Sequence, residues 1–186
     1  MNYLEEKQER LADSLGVKPV DRRPVILDKP KSMIIRNYIY IILGVCIIVF
    51  NLCFGIVRVS GPSMLPTLHN NDFMLIGKYD KVDRFDIAVL KERLSENGDT
   101  KVIVKRVIAF EGERVTVVNG QLFIDNKAYD EYYLSADNVK NFKETSFEIT
   151  VPKGHIFVMG DNRDISKDSR TVGSFTTDSV IGVKIN

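Results

Sequence analysis

Three stretches of the chain carry residue types that could do chemistry. In the first, Ser60-Gly61-Pro62-Ser63-Met64-Leu65-Pro66-Thr67-Leu68, a serine stands between two prolines whose rings restrict the backbone around it. The second, Lys101-Val102-Ile103-Val104-Lys105-Arg106-Val107-Ile108-Ala109-Phe110-Glu111-Gly112, sets basic residues inside a strongly β-forming apolar run. A lysine buried there loses the solvation of its ammonium form. Its pKa then falls from about 10.4, and it becomes able to accept a proton near neutral pH. The third, Gly160-Asp161-Asn162-Arg163-Asp164-Ile165-Ser166-Lys167-Asp168-Ser169-Arg170, is dense in turn formers and in charges of both signs. Taken singly, each stretch also has a plain reading: a turn, a half-exposed strand with Lys105 or Arg106 in solvent, and a solvated loop.

Other chemistries have less support. Asp161, Arg163 and Ile165 hold the spacing of the first ligands of a calcium loop, but arginine and isoleucine cannot ligate calcium. His69 and His155 are far apart and outside any H-E-x-x-H or H-x-H context, so neither a metal nor a cofactor is expected. Cys46 and Cys53 share one apolar run, which builds neither a disulfide framework nor a C-x-x-C site. A net charge of +1 gives no basic footprint for nucleic acid. At 186 residues, 44% hydrophobic and 27% charged, the chain has room for one ordinary domain plus an appendage.

The elements that must position these residues are legible. No charge occurs between Asn37 and Val57, and a helix of that length spans roughly 30 Å, the thickness of a bilayer's hydrocarbon core. Lys18, Arg22, Arg23, Lys29, Lys31 and Arg36 precede this run closely and only Arg58 follows it closely, which puts the N-terminus in the cytoplasm. The long region before the run and the weak small-x-small site at Cys53-Phe54-Gly55 favour an uncleaved anchor over a signal peptide. The expected division is a cytoplasmic tail over 1–36, a transmembrane helix over 37–57 and an extracytoplasmic β-rich domain over 58–186. Within the tail, Leu4, Leu11 and Leu15 suggest a short helix, and Pro19, Pro24 and Pro30 a linker.

Beyond Arg58 the spacing predicts strands over 73–76, 86–90, 102–109, 115–118, 122–125, 147–151, 156–159 and 180–185. Asn119-Gly120 predicts a type I′ hairpin, because both positions of that turn need positive φ. The expected fold class is mainly β: an antiparallel β-sheet catalytic domain on one N-terminal transmembrane helix.

Together, in this order, the three stretches resemble the signature boxes of the bacterial type I signal peptidases, in the single-span form of Gram-positive members. Asp86-Ile87-Ala88-Val89 resembles the family box between serine and lysine. The hairpin with Glu131-Tyr132-Tyr133-Leu134 looks like the segment after the lysine box. The resemblance implies a serine endopeptidase that cuts signal peptides from exported precursors after small-x-small motifs. Ser63 would be the nucleophile and Lys105 the general base. Ser166 would help to orient the lysine, with Asp161, Asp168 and Arg170 in a supporting network.

The implied partners are precursor proteins bearing signal peptides, membrane lipid and the secretion machinery. Some members place a hydroxyl two positions before the nucleophile; here that position is Gly61, so the oxyanion hole is expected to depend on the backbone N–H of Ser63. Phe85 stands where the family often has glycine, and Glu113 where aspartate is frequent. His69 is expected on the surface. A self-cleaving repressor is a second reading, opposed by the membrane span and by the lack of a helix-turn-helix before it. A catalytically dead assembly factor is a third, opposed by the presence of both serine and lysine.

Overall fold

The chain opens with two helices, α1 (Tyr3–Ser14) and α2 (Lys31–Cys53). In the computed structural model, residues 3–16, 31–93, 99–135 and 146–185 are described, and the chain divides into two compact units, 1–44 and 45–186. The expected short helix of the tail is α1; Pro19, Pro24 and Pro30 lie outside the described residues. Within α2, Met33–Cys53 has a mean hydropathy of 2.2 and exposed side chains. Among the described residues it is the one helix long and apolar enough to cross a membrane.

The helix is displaced from the uncharged run. It starts at Lys31, ahead of Asn37, and ends at Cys53; Phe54 to Val57 form the beginning of β1 (Phe54–Arg58). Lys and Arg are good helix formers, so charge does not mark the first turn. At the other end, Phe54, Ile56 and Val57 are strand formers whose backbone pairs with β2 (Phe73–Gly77), from Phe54 opposite Gly77 to Arg58 opposite Phe73. Apolar composition alone cannot separate the last turn of a span from a strand that follows it directly.

Nine further strands follow: β3 (Ile87–Arg93), β4 (Thr100–Phe110), β5 (Arg114–Val118), β6 (Gln121–Ile124), β7 (Lys127–Tyr129), β8 (Phe147–Thr150), β9 (His155–Met159), β10 (Phe175–Thr176) and β11 (Val180–Lys184). They build a seven-stranded sheet in the order β1-β2-β11-β3-β4-β9-β10 and a four-stranded sheet in the order β7-β6-β5-β8, with every neighbouring pair antiparallel. The expected strands are all present within a few residues of their ends. The sequence reading omitted β1, β7, β10 and the short helix α3 (Ser169–Val172). Asn119 and Gly120 turn with φ of 50° and 79°, as a type I′ hairpin requires. Asp125 and Asn126, with φ of 50° and 65°, turn β6 into β7 in the same way.

β4 is the strand that matters for the site. From Lys105 to Ala109 every residue is buried, although successive side chains point to opposite faces. One face packs Ile103 and Val107 against Ala88, Leu90, Ile156, Val158 and Phe175. On the large sheet, Met64, Leu68, Met74, Ile76, Ile87 and Val89 form a second cluster. Further along, Ile108, Phe157 and Met159 meet Val115, Leu122 and Ile124 where the small sheet joins. Each such side chain contributes about 1.5–3 kcal/mol by leaving water. A strand covered on both faces also takes its charged residues out of water.

Candidate active site

Ser63 lies in a run of turns over residues 61–68. Gly61, at φ +89°, opens it and donates its backbone N–H to Asn70 Oδ1 at 3.0 Å. Met64 and Leu68, 1% and 6% exposed, pin the segment into the core, and the Leu68 N–H donates to the Met64 carbonyl at 2.9 Å. The Leu65–Pro66 peptide is cis. The third stretch holds the same turn from the other side. The Asn162 backbone N–H donates to the Ser63 carbonyl at 3.0 Å, and Asn162 Nδ2 to the Pro62 carbonyl at 3.3 Å. The buried Met64 and Leu68 side chains and two hydrogen bonds therefore hold the backbone that carries Ser63.

Lys105, on β4, puts Nζ 2.9 Å from Ser63 Oγ and is 4% exposed. Burial pulls its pKa below the ordinary lysine value. Asp168 and Glu92 oppose the shift and Lys101 and Arg170 add to it, so burial prevails. Arg106, the next residue, is buried too. It makes a bidentate pair with Asp161, Nε to Oδ1 at 2.8 Å and Nη2 to Oδ2 at 2.6 Å, and Nη1 donates to the Phe85 carbonyl at 2.6 Å. Asp161 is fully buried and also accepts from Thr67 Oγ1. The first and second stretches thus meet at Ser63–Lys105, and all three meet at Thr67–Arg106–Asp161.

Asp168 caps α3 and accepts from the Gly160 N–H at 2.8 Å, from Arg170 Nε at 2.9 Å and from Arg170 Nη2 at 2.8 Å. Burial alone would raise its pKa. The Arg170 guanidinium, the Gly160 N–H and the nearby Ser166 hydroxyl reverse that and hold it below the ordinary carboxylate range. Ser166 is 8% exposed and crowds Gly160. Its hydroxyl lies near enough to Asp168 to favour the carboxylate, but makes no hydrogen bond of normal geometry among the described residues, and none to Lys105. Arg163 donates to the Gly160 carbonyl at 3.1 Å and pairs with Glu131, which accepts from the Tyr133 hydroxyl at 2.7 Å. His69 is exposed and beside Asp72.

All six residues expected from sequence therefore lie in one contiguous region. Thr67, Arg106, Arg163, Glu131 and Tyr133 join them without having been foreseen as site residues. The signal for Arg106 was available: an apolar run without alternation is a strand buried on both faces, which takes both basic neighbours inside. Phe85 adopts φ +70°, which explains why glycine suits that position, and its carbonyl is aimed at Arg106. Glu113 pairs with Arg84 at 2.5 Å and accepts from the Phe110 N–H, closing the turn after β4.

A cleft of about 300 Å3 runs from the Ser63–Lys105 contact between residues 57–64 and residues 101–105 of β4, with Glu92 and Lys167 on its wall. β4 pairs with β3 from Thr100 to Arg106, but with β9 only from Arg106 to Phe110. Its Thr100–Lys105 stretch thus keeps one edge without a strand partner among the described residues, and Lys101 to Lys105 line the cleft.

An antiparallel β-domain that sets a serine hydroxyl against a buried lysine amine at the end of an open cleft has the parts that hydrolysis of a peptide bond needs, and the family match assigns the chain to the peptidases. A family model described as "Signal peptidase, peptidase S26" matches residues 32–185. The signal peptidase I S of Bacillus subtilis is 37% identical over 176 residues, covering 88% of this chain and 89% of its own. The signal peptidase I of Streptococcus pneumoniae serotype 4 is 35% identical over 163 residues, covering 68% of this chain and 78% of its own. The crystal structure of a signal peptidase I from Enterococcus faecalis is similar at a TM-score of 0.50 and 32% identity, covering 56% of this chain and 97% of that one. The chain belongs to the signal peptidase, peptidase S26, family. Its enzymatic class is that of signal peptidase I.

Proposed function

We propose that the chain removes N-terminal signal peptides from exported proteins by cutting after small-x-small motifs, with Ser63 as nucleophile and Lys105 as general base. One observation carries this reading: the 2.9 Å contact between Lys105 Nζ and Ser63 Oγ, made by a lysine 4% exposed. A desolvated lysine is neutral at a pH where a solvated one is charged, and only the neutral amine has a lone pair to take a proton. Lys105 accepts the Ser63 proton as Oγ attacks the scissile carbonyl carbon. The ammonium so formed gives that proton to the leaving amine as the C–N bond breaks, which leaves an ester on Ser63, the acyl-enzyme. Water, deprotonated by the again neutral Lys105, hydrolyses the ester and frees Ser63.

The developing oxyanion falls to the Ser63 backbone N–H, which has no acceptor among the described residues. Gly61 brings no side-chain donor. Ser166, Asp161, Asp168 and Arg170 support the site, Ser166 as a buried hydroxyl packed beside Gly160. The substrate adds as an extended strand along the free edge of β4, so that backbone hydrogen bonds give affinity. Val57, Val59, Met64 and Val104 line the cleft, and about 300 Å3 shared among several substrate residues suits small side chains.

The α2 helix is the anchor. Residues 1–36 are the cytoplasmic tail, because the cations cluster before the span, and the β-domain stands outside. Ser63 follows the helix end by ten residues, a reach of at most about 35 Å. Substrates held in the same membrane therefore meet the site at raised effective concentration, as the secretion machinery delivers them.

The test is cleavage of a purified precursor with a small-x-small site by detergent-solubilised wild type, Ser63→Ala and Lys105→Ala, with products read by mass spectrometry. Cleavage directly after the motif by wild type alone is expected. A folded Lys105→Ala variant that cleaves at the wild-type rate would remove the dyad.

A further inference from the structure

Arg106 is the point where the three stretches are tied together behind the Ser63–Lys105 contact. Its guanidinium donates to Asp161, Thr67 and the Phe85 carbonyl. Its Cζ lies over the Tyr133 ring, 3.8 Å from the centroid. A cation stacked this closely on an aromatic face away from water is attracted by the ring's negative quadrupole and cannot rotate out of plane without losing that contact. The ring is held in its turn. Phe85, whose carbonyl accepts from Arg106, packs on Tyr133 at 5.8 Å, Tyr132 packs at 5.6 Å, and the Tyr133 hydroxyl donates to Glu131. Glu131 pairs with Arg163, which donates to the Gly160 carbonyl, one residue before Asp161.

We propose that Tyr133 is a positioning residue for peptide cleavage: its ring clamps the Arg106 guanidinium in the plane that engages Asp161, and thereby sets Lys105 against Ser63. The reach is short. Arg106 is covalently next to Lys105, Asp161 is next to the Asn162 whose N–H holds the Ser63 carbonyl, and Thr67 lies four residues beyond Ser63. Lys105 is thus one residue from the arginine that Tyr133 stacks on, and Ser63 is four residues from one of that arginine's partners and hydrogen-bonded to the neighbour of another. A displacement of about 1 Å at Lys105 Nζ is enough to slow proton transfer severely. The segment carrying Tyr133 follows β7, so the small sheet takes part in the reaction through this strap rather than by touching the substrate.

This inference rests on the Ser63–Lys105 reading, and the experiment separates the two. Wild type, Ser63→Ala, Tyr133→Phe, Tyr133→Leu and Arg106→Lys are assayed on one precursor for kcat and KM, with thermal melting of each. Tyr133→Phe keeps the ring and should retain kcat within about threefold. Tyr133→Leu fills similar volume without an aromatic face and should lose about tenfold in kcat with KM within twofold. Arg106→Lys, which keeps the charge but has no flat face, should show the same split and stands in if the leucine variant does not fold. Equal kcat in the Leu and Phe variants overturns the clamp, because filling space would then suffice. A rise in KM alone also overturns it, because Tyr133 would then be a substrate contact. Cleavage by Ser63→Ala discards the dyad itself, and the clamp with it.

Discussion

Gly160 faces Ser166 so closely that a β-carbon on Gly160 would stand 2.1 Å from Ser166 Oγ, and 2.5 Å from the Ser63 carbonyl oxygen. Neither neighbour can give way cheaply: Ser166 Cβ is itself 2.5 Å from that position, and the Ser63 carbonyl is tied to Asn162. Gly160→Ala should therefore push the serine turn away from β4, cutting kcat by about a hundredfold or more. Overpacking should lower stability by about 1–3 kcal/mol. Precursor cleavage and a thermal melt on the same preparation check both; wild-type kcat would mean the turn moves freely.

Lys105 should give the pH profile of cleavage its rising limb. Its pKa in the fold is depressed, so the neutral base appears as pH rises through that lowered value, and activity rises with it. The same burial costs stability wherever the lysine must be charged in the unfolded chain, at all pH values below its ordinary 10.5. Measurement of kcat/KM against pH tests the sign, and a limb near the ordinary lysine value would contradict burial as its origin.

Glu92 and Lys101, cross-strand partners on β3 and β4, act on that limb in opposite directions. The Glu92 carboxylate favours the ammonium form, so Glu92→Gln should move the limb to lower pH. Lys101 disfavours it, so Lys101→Gln should move the limb to higher pH. Both groups line the open cleft, so the shifts should shrink as salt is raised. Parallel profiles at two ionic strengths decide, and displacement in the same direction by both variants would refute an electrostatic cause.

Asp168 should make the domain acid-sensitive. Its folded pKa lies below the ordinary carboxylate value, so its contribution is complete above the unfolded value and is lost as pH falls through the folded one. Asp168→Asn should then flatten the drop in melting temperature on going down from about pH 5. An unchanged acid slope in a folded Asp168→Asn protein would assign the sensitivity to other groups.

Phe85 holds φ +70°, a conformation that costs a side-chain-bearing residue roughly 1–2 kcal/mol and glycine almost nothing. It repays this by packing on Tyr129 and Tyr133. Phe85→Ala and Phe85→Gly should both be less stable than wild type, with the glycine variant the more stable of the two by about 1 kcal/mol. Denaturant titration of the three proteins measures it, and an alanine variant that matches the glycine one would show that the strain is not carried there.

Much of the site could be read in the chain before it was folded. Apolar runs broken by turn residues located eight of the strands, Asn119-Gly120 located one hairpin, and the order of the three stretches brought Ser63 and Lys105 to attention. The apolar run before the β-domain marked the helix that ends at Cys53. Its end was misjudged because Phe54 to Val57 are as apolar as the helix, and only their pairing with β2 makes them a strand. β7 and β10 were missed because two or three residues are too few for a period to show.

What the chain alone determined was local: propensity, turn chemistry, and the kinds of side chain present at each bend. Burial was not local. Lys105 is buried and not a surface cation because β4 is covered on both faces, and Arg106 is held inside because Asp161 and Tyr133, from distant segments, meet it there. Desolvation and contact between residues far apart in sequence exist only once the sheets close, and those two effects turn a serine and a lysine into a pair.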